Sequence, residues 1–266
     1  MSLPFSFFAA VRYLAMPLLL ASGGAWAAVA PQQLTIPTSE RPVTVALYAA
    51  AGEVPRPAML ILPGRQGLQA FPEAYQQYAS NMAEHGIDAY LVNYYSDTDE
   101  AAVALAGRFD YNTRFRAWTN LVGEVGAYIA GQKQSTGRVG LLGFSQGGKL
   151  ALASAAQFPK LGPVVIIGSR MPAPAMLRGE ITRLPPVLVL HGESDAVVPL
   201  SEGRNIVDKA NELGAGGKLV IYPRVGHGFG FDSEGEFYHD ARKRVLAFLR
   251  QQLMQSGPRP HFNGRE

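Results

Sequence analysis

Residues 34–253 alternate short apolar runs with longer segments in which apolar residues recur at helical spacing. Runs such as "PVVIIG" and "VLVLHG" have the length and the β-branched content of strands that are buried on both faces. Parallel strands need a helical crossover between them, and the intervening segments are long enough to supply one. The pattern therefore predicts an α/β fold with a mostly parallel central sheet and helices on both faces.

The individual elements follow from the same periodicity. The segment "RPVTVALYAA" predicts a strand, and residues 52–57 predict a hairpin connection from it into the next strand, "AMLILP". Helices are predicted near 72–85, 114–130, after Gly147, near 202–213 and from about 235 to 253. The remaining apolar runs are predicted strands. The length of 266 residues allows one large domain of this kind or two small ones, and nothing in the composition requires two.

The first thirty residues differ from the rest of the chain. Arg12 is followed by an apolar stretch and then by two Ala-x-Ala patterns, an arrangement typical of a secretory signal peptide. We expect residues 1–27 to be this signal, with cleavage after Ala27 or, as an alternative, after Ala30; a retained N-terminal anchor is the competing interpretation. The sequence thus predicts a bacterial periplasmic or secreted protein without stable membrane insertion after cleavage.

The predicted mature chain comprises a domain at 28–255 and a disordered tail at 256–266, where Gly, Pro and charged residues occur without periodicity. The sequence has no cysteine, so disulfides cannot stabilise an exported form. The net charge is +3, but Lys and Arg are dispersed and the longest basic run is "ARKR". Nucleic acid, which requires a clustered basic face, is therefore not an expected partner.

Three side chains with complementary chemistry follow three predicted strands. Ser145 lies in "GFSQGG", Asp195 follows "VLVLHGES" and His227 follows "KLVIYPRVG". The carboxyl ends of parallel strands meet at one edge of a sheet, so we expect these residues to lie together. A strand, a Gly-x-Ser-x-Gly turn and a helix form the sharp turn that exposes a nucleophilic serine. The sequence predicts Ser145 as nucleophile, His227 as base and Asp195 as the acid that orients the base.

Other candidates for these roles are weaker. His191 ends a strand that looks buried, which favours a packed histidine over a base, and Glu193 is the alternative acid. His85 and His239 lie in helical segments and His261 in the predicted tail. Neither a histidine-rich zinc motif nor a calcium loop is present, and "SDTDE" favours a helix start, so we predict no metal and no cofactor.

Acyl transfer also requires two N–H donors for the oxyanion that forms in the transition state. The backbone amide of Gln146, directly after the predicted nucleophile, is one candidate. The other is expected from the loop "PGRQG", through the backbone of Arg65 or Gln66.

The segments "LILPGRQGL", "GIDAYLVNYY", "RVGLLGFSQGG", "VLVLHGESDAVVP" and "YPRVGHGF" resemble the dienelactone hydrolase family of the α/β-hydrolase superfamily. The resemblance implies an α/β-hydrolase fold and hydrolysis of an ester, lactone or related acyl bond without a cofactor. Two features depart from related proteins: dienelactone hydrolase itself uses a cysteine where this chain has Ser145, and Pro63-Gly64 replace the "HG" common in the carboxylesterase and acyl-thioesterase branch.

Cap domains in this superfamily commonly follow the strand after the nucleophile helix. Here residues 168–184 leave only about 17 positions, which is too few for a large lid. The sequence therefore predicts an open, shallow site for a small acyl substrate, lined in part by Tyr94, Tyr95 and Phe229. Two alternatives remain open: a serine peptidase-like hydrolase and a non-catalytic binding protein on a hydrolase scaffold.

Overall fold

A computed structural model of the protein describes residues 31–104, 110–231, 235 and 237–254. The predicted signal peptide at 1–27 and the predicted tail at 256–266 lie outside the described residues.

The described chain forms strands and helices in close to the predicted order. The strands are β1 (Gln32–Ile36), β2 (Val43–Tyr48), β3 (Arg56–Leu62), β4 (Asp88–Val92), β5 (Ser135–Phe144), β6 (Leu161–Ile167), β7 (Val187–Gly192) and β8 (Gly217–Tyr222). The helices are α1 (Pro72–Glu84), α2 (Asp97–Ala104), α3 (Tyr111–Ala130), α4 (Gln146–Gln157), α5 (Leu200–Glu212) and α6 (Tyr238–Leu253). Three short 3-10 helices occupy Leu68–Ala70, Pro174–Met176 and Phe229–Phe231.

All eight strands belong to one sheet in the order β1-β2-β4-β3-β5-β6-β7-β8. β2 pairs antiparallel with both β1 and β4, and every later pairing in the sheet is parallel. Apolar residues of α3, α4 and α5 pack in one buried cluster, and those of α1 and α6 pack in the other. The predicted mostly parallel sheet with helices on both faces is confirmed.

The predicted hairpin between the second and third strands is wrong. β2 pairs with β4, with Val45 opposite Val92, while β3 lies between β4 and β5. The burial of β2 and β3 explains why they are not neighbours. β3 is buried along nearly its whole length, as a central strand must be, whereas Thr44 on β2 is exposed. The turn residues at 52–57 signal a reversal of the chain, but they do not determine which strand becomes the neighbour.

The connection from β6 to β7 is short. Within it the only helical element is the 3-10 turn at Pro174–Met176, so the described chain has no separate cap domain over the sheet edge. This agrees with the length of the gap in the sequence. Among the helices of the described residues, none combines the length and the apolar character that a bilayer crossing requires.

A buried ion pair joins the first residue of β3 to the first residue of β4. It therefore lies at the amino-terminal ends of the parallel strands, whereas Ser145 lies at their carboxyl ends. The Asp88 carboxylate accepts hydrogen bonds from Arg56 Nε at 3.0 Å and from the backbone amide of Ala50 at 2.8 Å. The side chains of Arg56 and Asp88 are only 15% and 5% exposed. Loss of the carboxylate would leave a largely buried guanidinium and a buried amide without this acceptor.

We predict that Asp88→Ala lowers the free energy of unfolding by about 3–5 kcal/mol, measured by urea denaturation. The matched control is Glu212→Ala, which removes the carboxylate of the exposed Lys209–Glu212 pair. Water screens that pair, so the loss there should stay below about 1 kcal/mol. Equal losses in the two variants would contradict a stabilising role for the buried pair.

Candidate active site

Ser145 lies at a sharp turn between the end of β5 and the start of α4. Its backbone has φ 50° and ψ −113°, a conformation that residues other than glycine rarely adopt. A Cβ atom at Gly143 would clash with the backbone of Gly147, and one at Gly147 would clash with the carbonyl of Leu62. The two glycines therefore permit the close approach of strand and helix that this turn needs.

Hydrogen bonds fix the backbone of Ser145 on both sides. Its amide donates to the carbonyl of Ile167 at 3.0 Å, which ties the turn to the end of β6. Its carbonyl accepts from the amide of Gly148 at 3.0 Å and from Ser169 Oγ at 2.5 Å. These bonds hold the turn in place despite the unfavourable φ angle, and the Ser145 side chain remains partly accessible.

The structure brings Ser145, His227 and Asp195 together at the carboxyl edge of the sheet. His227 Nε2 lies 3.0 Å from Ser145 Oγ, and His227 Nδ1 lies 2.8 Å from Asp195 Oδ2. A carboxylate can only accept, so Nδ1 carries the proton and Nε2 is free to accept the serine proton. The three groups thus form the continuous chain of hydrogen bonds that nucleophilic catalysis by serine requires.

Asp195 is itself held by the loop that follows β7. Its Oδ1 atom accepts hydrogen bonds from the amides of Val197 at 2.9 Å and Val198 at 2.8 Å, and its side chain is fully buried. The other carboxylate oxygen is therefore presented to His227 in a fixed direction. The imidazole is 18% exposed, so it borders both the buried acid and the open cleft.

The competing candidates occupy other places. His191 is fully buried and donates from Nε2 to the carbonyl of Val198 at 2.8 Å, with the Asp195 carboxylate 3.5 Å away. His191 therefore borders the acid in the protein interior. Glu193 is exposed, and its carboxylate accepts from the amide of Arg224 at 3.4 Å. His85 Nδ1 donates to the carbonyl of Asn81 at 2.7 Å at the end of α1.

The two remaining histidines lie away from Ser145 in the sequence. His239 is exposed on α6, and His261 lies outside the described residues.

Three tyrosine hydroxyls hold the loop that contains Arg65. Tyr94 donates to the carbonyl of Pro63 at 2.8 Å, and Tyr95 donates to the carbonyl of Arg65 at 3.0 Å. The hydroxyl of Tyr75 accepts from the amide of Gly64 at 3.0 Å. Burial raises the pKa of Tyr95 to about 12, so its hydroxyl keeps the proton that it donates.

The two residues predicted to supply the second oxyanion donor differ in position. Arg65 lines the same cleft as Ser145 and Gln146. Gln66 is the next residue of the same turn, which is closed by the bond from the Gly67 amide to the Gly64 carbonyl; both residues are exposed, and only Arg65 borders the cleft.

The side chain of Gln146 connects this loop to the turn at Ser145. Its amide nitrogen donates to the hydroxyl of Tyr95 at 2.6 Å, and its amide oxygen accepts from the hydroxyl of Tyr111 at 2.9 Å. The sequence predicted a role only for the backbone amide of Gln146. The sequence does contain a signal for this contact, since Tyr94 and Tyr95 follow β4 and the loop "PGRQG" follows β3. The contact could not be predicted, because it requires β3 and β4 to be neighbours in the sheet.

Tyr94 and Tyr95 lie behind the loop and not in the wall of the cleft, where we expected them. They are 0% and 4% exposed, and both rings contact Trp118 in the core. The physical reason is that their hydroxyls satisfy buried backbone groups of the loop while their rings fill the core beneath it.

Phe229, the third predicted lining residue, is at the wall of a second cleft beside His227. That cleft is also lined by Phe71, Arg224 and Phe237. The Phe229 ring packs on Tyr222 with centroids 4.7 Å apart. The catalytic candidates thus lie between two clefts, one beside Ser145 and one beside His227.

Among the described residues, no group of three or more His, Asp or Glu side chains is arranged to hold a metal ion.

Comparison with known proteins places this geometry in context. Residues 44–253 match the model of the dienelactone hydrolase family. The chain is 32% identical over 91 residues to a protein of Oryza sativa subsp. japonica described as a probable inactive carboxylesterase, a match that covers 33% of this chain and 37% of that protein. It is 32% identical over 122 residues to acyl-protein thioesterase 1 of Gibberella zeae, covering 44% of this chain and 48% of that protein.

The chain thus spans less than half the length of each of these two curated relatives. Among solved structures, the dienelactone hydrolase of Anabaena variabilis is similar with a TM-score of 0.67 and 20% identity. This match covers 84% of the present chain and 99% of that one, and it shows that the two chains share a fold.

We predict that Tyr95→Phe lowers kcat for ester hydrolysis by about 10-fold with little change in KM. The loop at Arg65 loses a support but keeps its own N–H groups, so the effect should be smaller than the roughly 100- to 1000-fold loss of a direct oxyanion donor. The control is Tyr78→Phe, since the buried hydroxyl of Tyr78 has no partner among the described residues. Equal kinetics for the two variants would exclude a positioning role for the Tyr95 hydroxyl.

Proposed function

The chain belongs to the dienelactone hydrolase family, and on that premise we propose that it cleaves a carboxylic ester, lactone or related acyl bond through a triad of Ser145, His227 and Asp195. It is a serine hydrolase of the carboxylic ester hydrolase type. The observation that most supports the triad is the pair of contacts made by His227, 3.0 Å to the serine oxygen and 2.8 Å to the acid.

The proposed reaction has two halves. Ser145 Oγ attacks the acyl carbon while His227 Nε2 takes its proton, and the imidazolium that forms is stabilised by Asp195. The tetrahedral oxyanion is bound by backbone N–H groups of Gln146 and of the loop at Arg65 or Gln66. When this intermediate collapses, His227 returns the proton to the leaving oxygen and an acyl-serine remains. Water, deprotonated by His227, then releases the acid and restores the serine.

The open cleft above the sheet edge supports a small or flexible acyl substrate. The connection between β6 and β7 contributes only a 3-10 turn, so bulky groups of a substrate can extend into solvent. A folded polypeptide would need additional contacts to be held at so open a site, which makes a peptidase the less favoured activity.

A non-catalytic role on the same scaffold is the second candidate. It is favoured by one observation, the similarity over 91 residues to a rice protein described as a probable inactive carboxylesterase. The contacts among Ser145, His227 and Asp195 favour catalysis instead.

We predict that Ser145→Ala and His227→Ala each lower kcat/KM for short-chain esters by about 10⁴- to 10⁶-fold, because the triad acts as a unit. Asp195→Asn should lower kcat by about 10⁴-fold, since an amide supports the wrong imidazole tautomer. Circular dichroism and thermal melting verify that each variant is folded. Wild-type activity in the Ser145→Ala variant would exclude the mechanism, and wild-type protein inactive on esters, lactones and thioesters would favour the binding role.

We also propose export to the periplasm or the medium with removal of residues 1–27. Support comes from Arg12, the apolar stretch after it and the Ala-x-Ala pattern that ends at Ala27. We predict that intact mass of protein recovered from the periplasm of a bacterial host corresponds to a chain beginning at Ala28. Full-length protein retained in the membrane fraction would contradict cleavage and favour the retained anchor.

A further inference from the structure

Four side chains connect α4 to the loop at Arg65 through hydrogen bonds that continue from one group to the next. Lys149 Nζ donates to the hydroxyl of Tyr111 at 3.1 Å, and this hydroxyl donates to the amide oxygen of Gln146 at 2.9 Å. The amide nitrogen of Gln146 donates to the hydroxyl of Tyr95 at 2.6 Å, which donates to the carbonyl of Arg65 at 3.0 Å. The Lys149 chain, as we call this series, has an ammonium at one end and a backbone carbonyl at the other.

The two ends of the Lys149 chain determine the direction of every bond in it. An ammonium group can only donate, and a carbonyl oxygen can only accept. Each hydroxyl therefore accepts from the lysine side and donates toward the loop, and the Gln146 amide has one orientation that satisfies both neighbours. Hydrogen bonds that run in one direction polarise one another, so each bond strengthens the next.

The middle of the Lys149 chain is shielded from water. Gln146 is 4% exposed, and its amide nitrogen also donates to the hydroxyl of Tyr94 at 3.3 Å, which in turn holds the carbonyl of Pro63. Burial raises the pKa of Tyr95 to about 12 and also raises the pKa of Tyr111, so both hydroxyls keep the protons that they donate. In so buried a setting, the orientation of the Gln146 amide depends on its protein partners.

Lys149 is the member of the chain whose charge changes near neutral pH. Burial, together with the charges of Arg170 and Arg65, lowers the pKa of the Lys149 ammonium to about 8. The groups that face it are these two guanidinium groups, from the segment after β6 and the loop after β3, and the hydroxyl of Tyr111 on α3. The Asp110 carboxylate, next to Tyr111 in the sequence, caps α3 instead. Within the described part of the chain, Lys149 forms no ion pair.

Loss of the Lys149 proton removes the constraint on direction. A neutral amine can accept a hydrogen bond, so it competes with the Gln146 amide oxygen for the proton of Tyr111. The Gln146 amide is then free to turn over, and its bond to Tyr95 is no longer enforced. Both sources of oxyanion donors adjoin this chain, because one is the backbone N–H of Gln146 and the other is the loop at Arg65.

We propose that Lys149 is a positioning residue for the oxyanion site. Its ammonium orients the side chain of Gln146 through Tyr111, and Gln146 in turn holds the loop at Arg65 through Tyr95. The inference rests on the proposed function. Because Lys149 acts through other side chains and not by contact with the substrate, its effect should appear in kcat and should require an intact chain.

The test uses neutral ethyl esters, from acetate to hexanoate, and follows the released acid by titration. A neutral ester excludes any attraction between Lys149 and a charged substrate. For the ester with the highest kcat, we predict that Lys149→Met lowers kcat about 5-fold with little change in KM, a smaller loss than that of a direct oxyanion donor. Lys149→Arg should restore most of this loss, because a guanidinium also can only donate. Lys218→Met, which removes an exposed charge on β8, is the control and should leave kcat unchanged.

Coupling to Tyr95 distinguishes action through the chain from a direct effect. Once Tyr95→Phe has been introduced, Lys149→Met should lower kcat no further, because the chain is already interrupted. Tyr111→Phe should resemble Lys149→Met, both alone and in combination with Tyr95→Phe. A general loss of structure or a direct effect on the substrate would give losses that multiply.

The pH profile is the second readout. Relative to Lys149→Arg, the kcat of the wild type should decline as the pH rises from about 7 to about 9.5, because Lys149 loses its charge in that range. Titration of His227 is common to both enzymes and cancels in the comparison. Arg170→Met should move this decline to higher pH, because it removes one of the charges that lower the pKa of Lys149.

The outcomes separate this inference from the proposed function. Wild-type kcat in Lys149→Met, losses that multiply with Tyr95→Phe, or a kcat relative to Lys149→Arg that does not vary with pH would each refute the positioning role. Hydrolysis that still depends on Ser145 would then leave the proposed function intact. Hydrolysis of none of these esters, with lactones and thioesters also untouched, would refute both.

Discussion

The close approach of backbone to backbone at Ser145 is the constraint on which the rest of the site depends. Gly143 and Gly147 have no room for a Cβ atom, because β5, the start of α4 and the end of β3 meet there. This contact holds Ser145 at φ 50° and directs its hydroxyl out of the sheet edge. The parallel strands then bring the loops after β7 and β8 to the same edge, where they present Asp195 and His227. Backbone packing, and not the side chains alone, thus fixes the distances on which the chemistry relies.

A second set of hydrogen bonds positions the loop and the turn that would supply the oxyanion donors. The hydroxyls of Tyr75, Tyr94 and Tyr95 bond the backbone of the loop at Arg65, and Gln146 joins that loop to the turn at Ser145. Buried hydroxyls with these partners rigidify the loop, because leaving any of its backbone groups unpaired would be costly. Preorganised donors of this kind stabilise a developing oxyanion without rearrangement during the reaction.

The sequence was sufficient to predict most of the elements, the predominance of parallel strands and the three residues that meet at the sheet edge, since each follows from local periodicity and from strand ends. The strand β1 and the full extent of α2 were not predicted. Strand order at the start of the sheet was not predictable locally, because the turn at 52–57 resembles a hairpin while β2 pairs with β4. The location of Tyr94 and Tyr95 depends on the same order, so their contacts with the loop were missed. The convergence of Lys149 with Arg65 and Arg170 joins three segments distant in the chain and required the folded structure.

The central claim is that Ser145 is an activated nucleophile, and reaction with a fluorophosphonate probe tests it most directly. The purified protein, with Ser145→Ala as a parallel sample, would be labelled, digested and mapped by mass spectrometry. A phosphonate forms its bond with a serine whose proton can pass to a nearby base, so the account predicts modification of Ser145 and no label on the variant. Folded wild-type protein that remains unlabelled, or that is labelled equally in the variant, would contradict it.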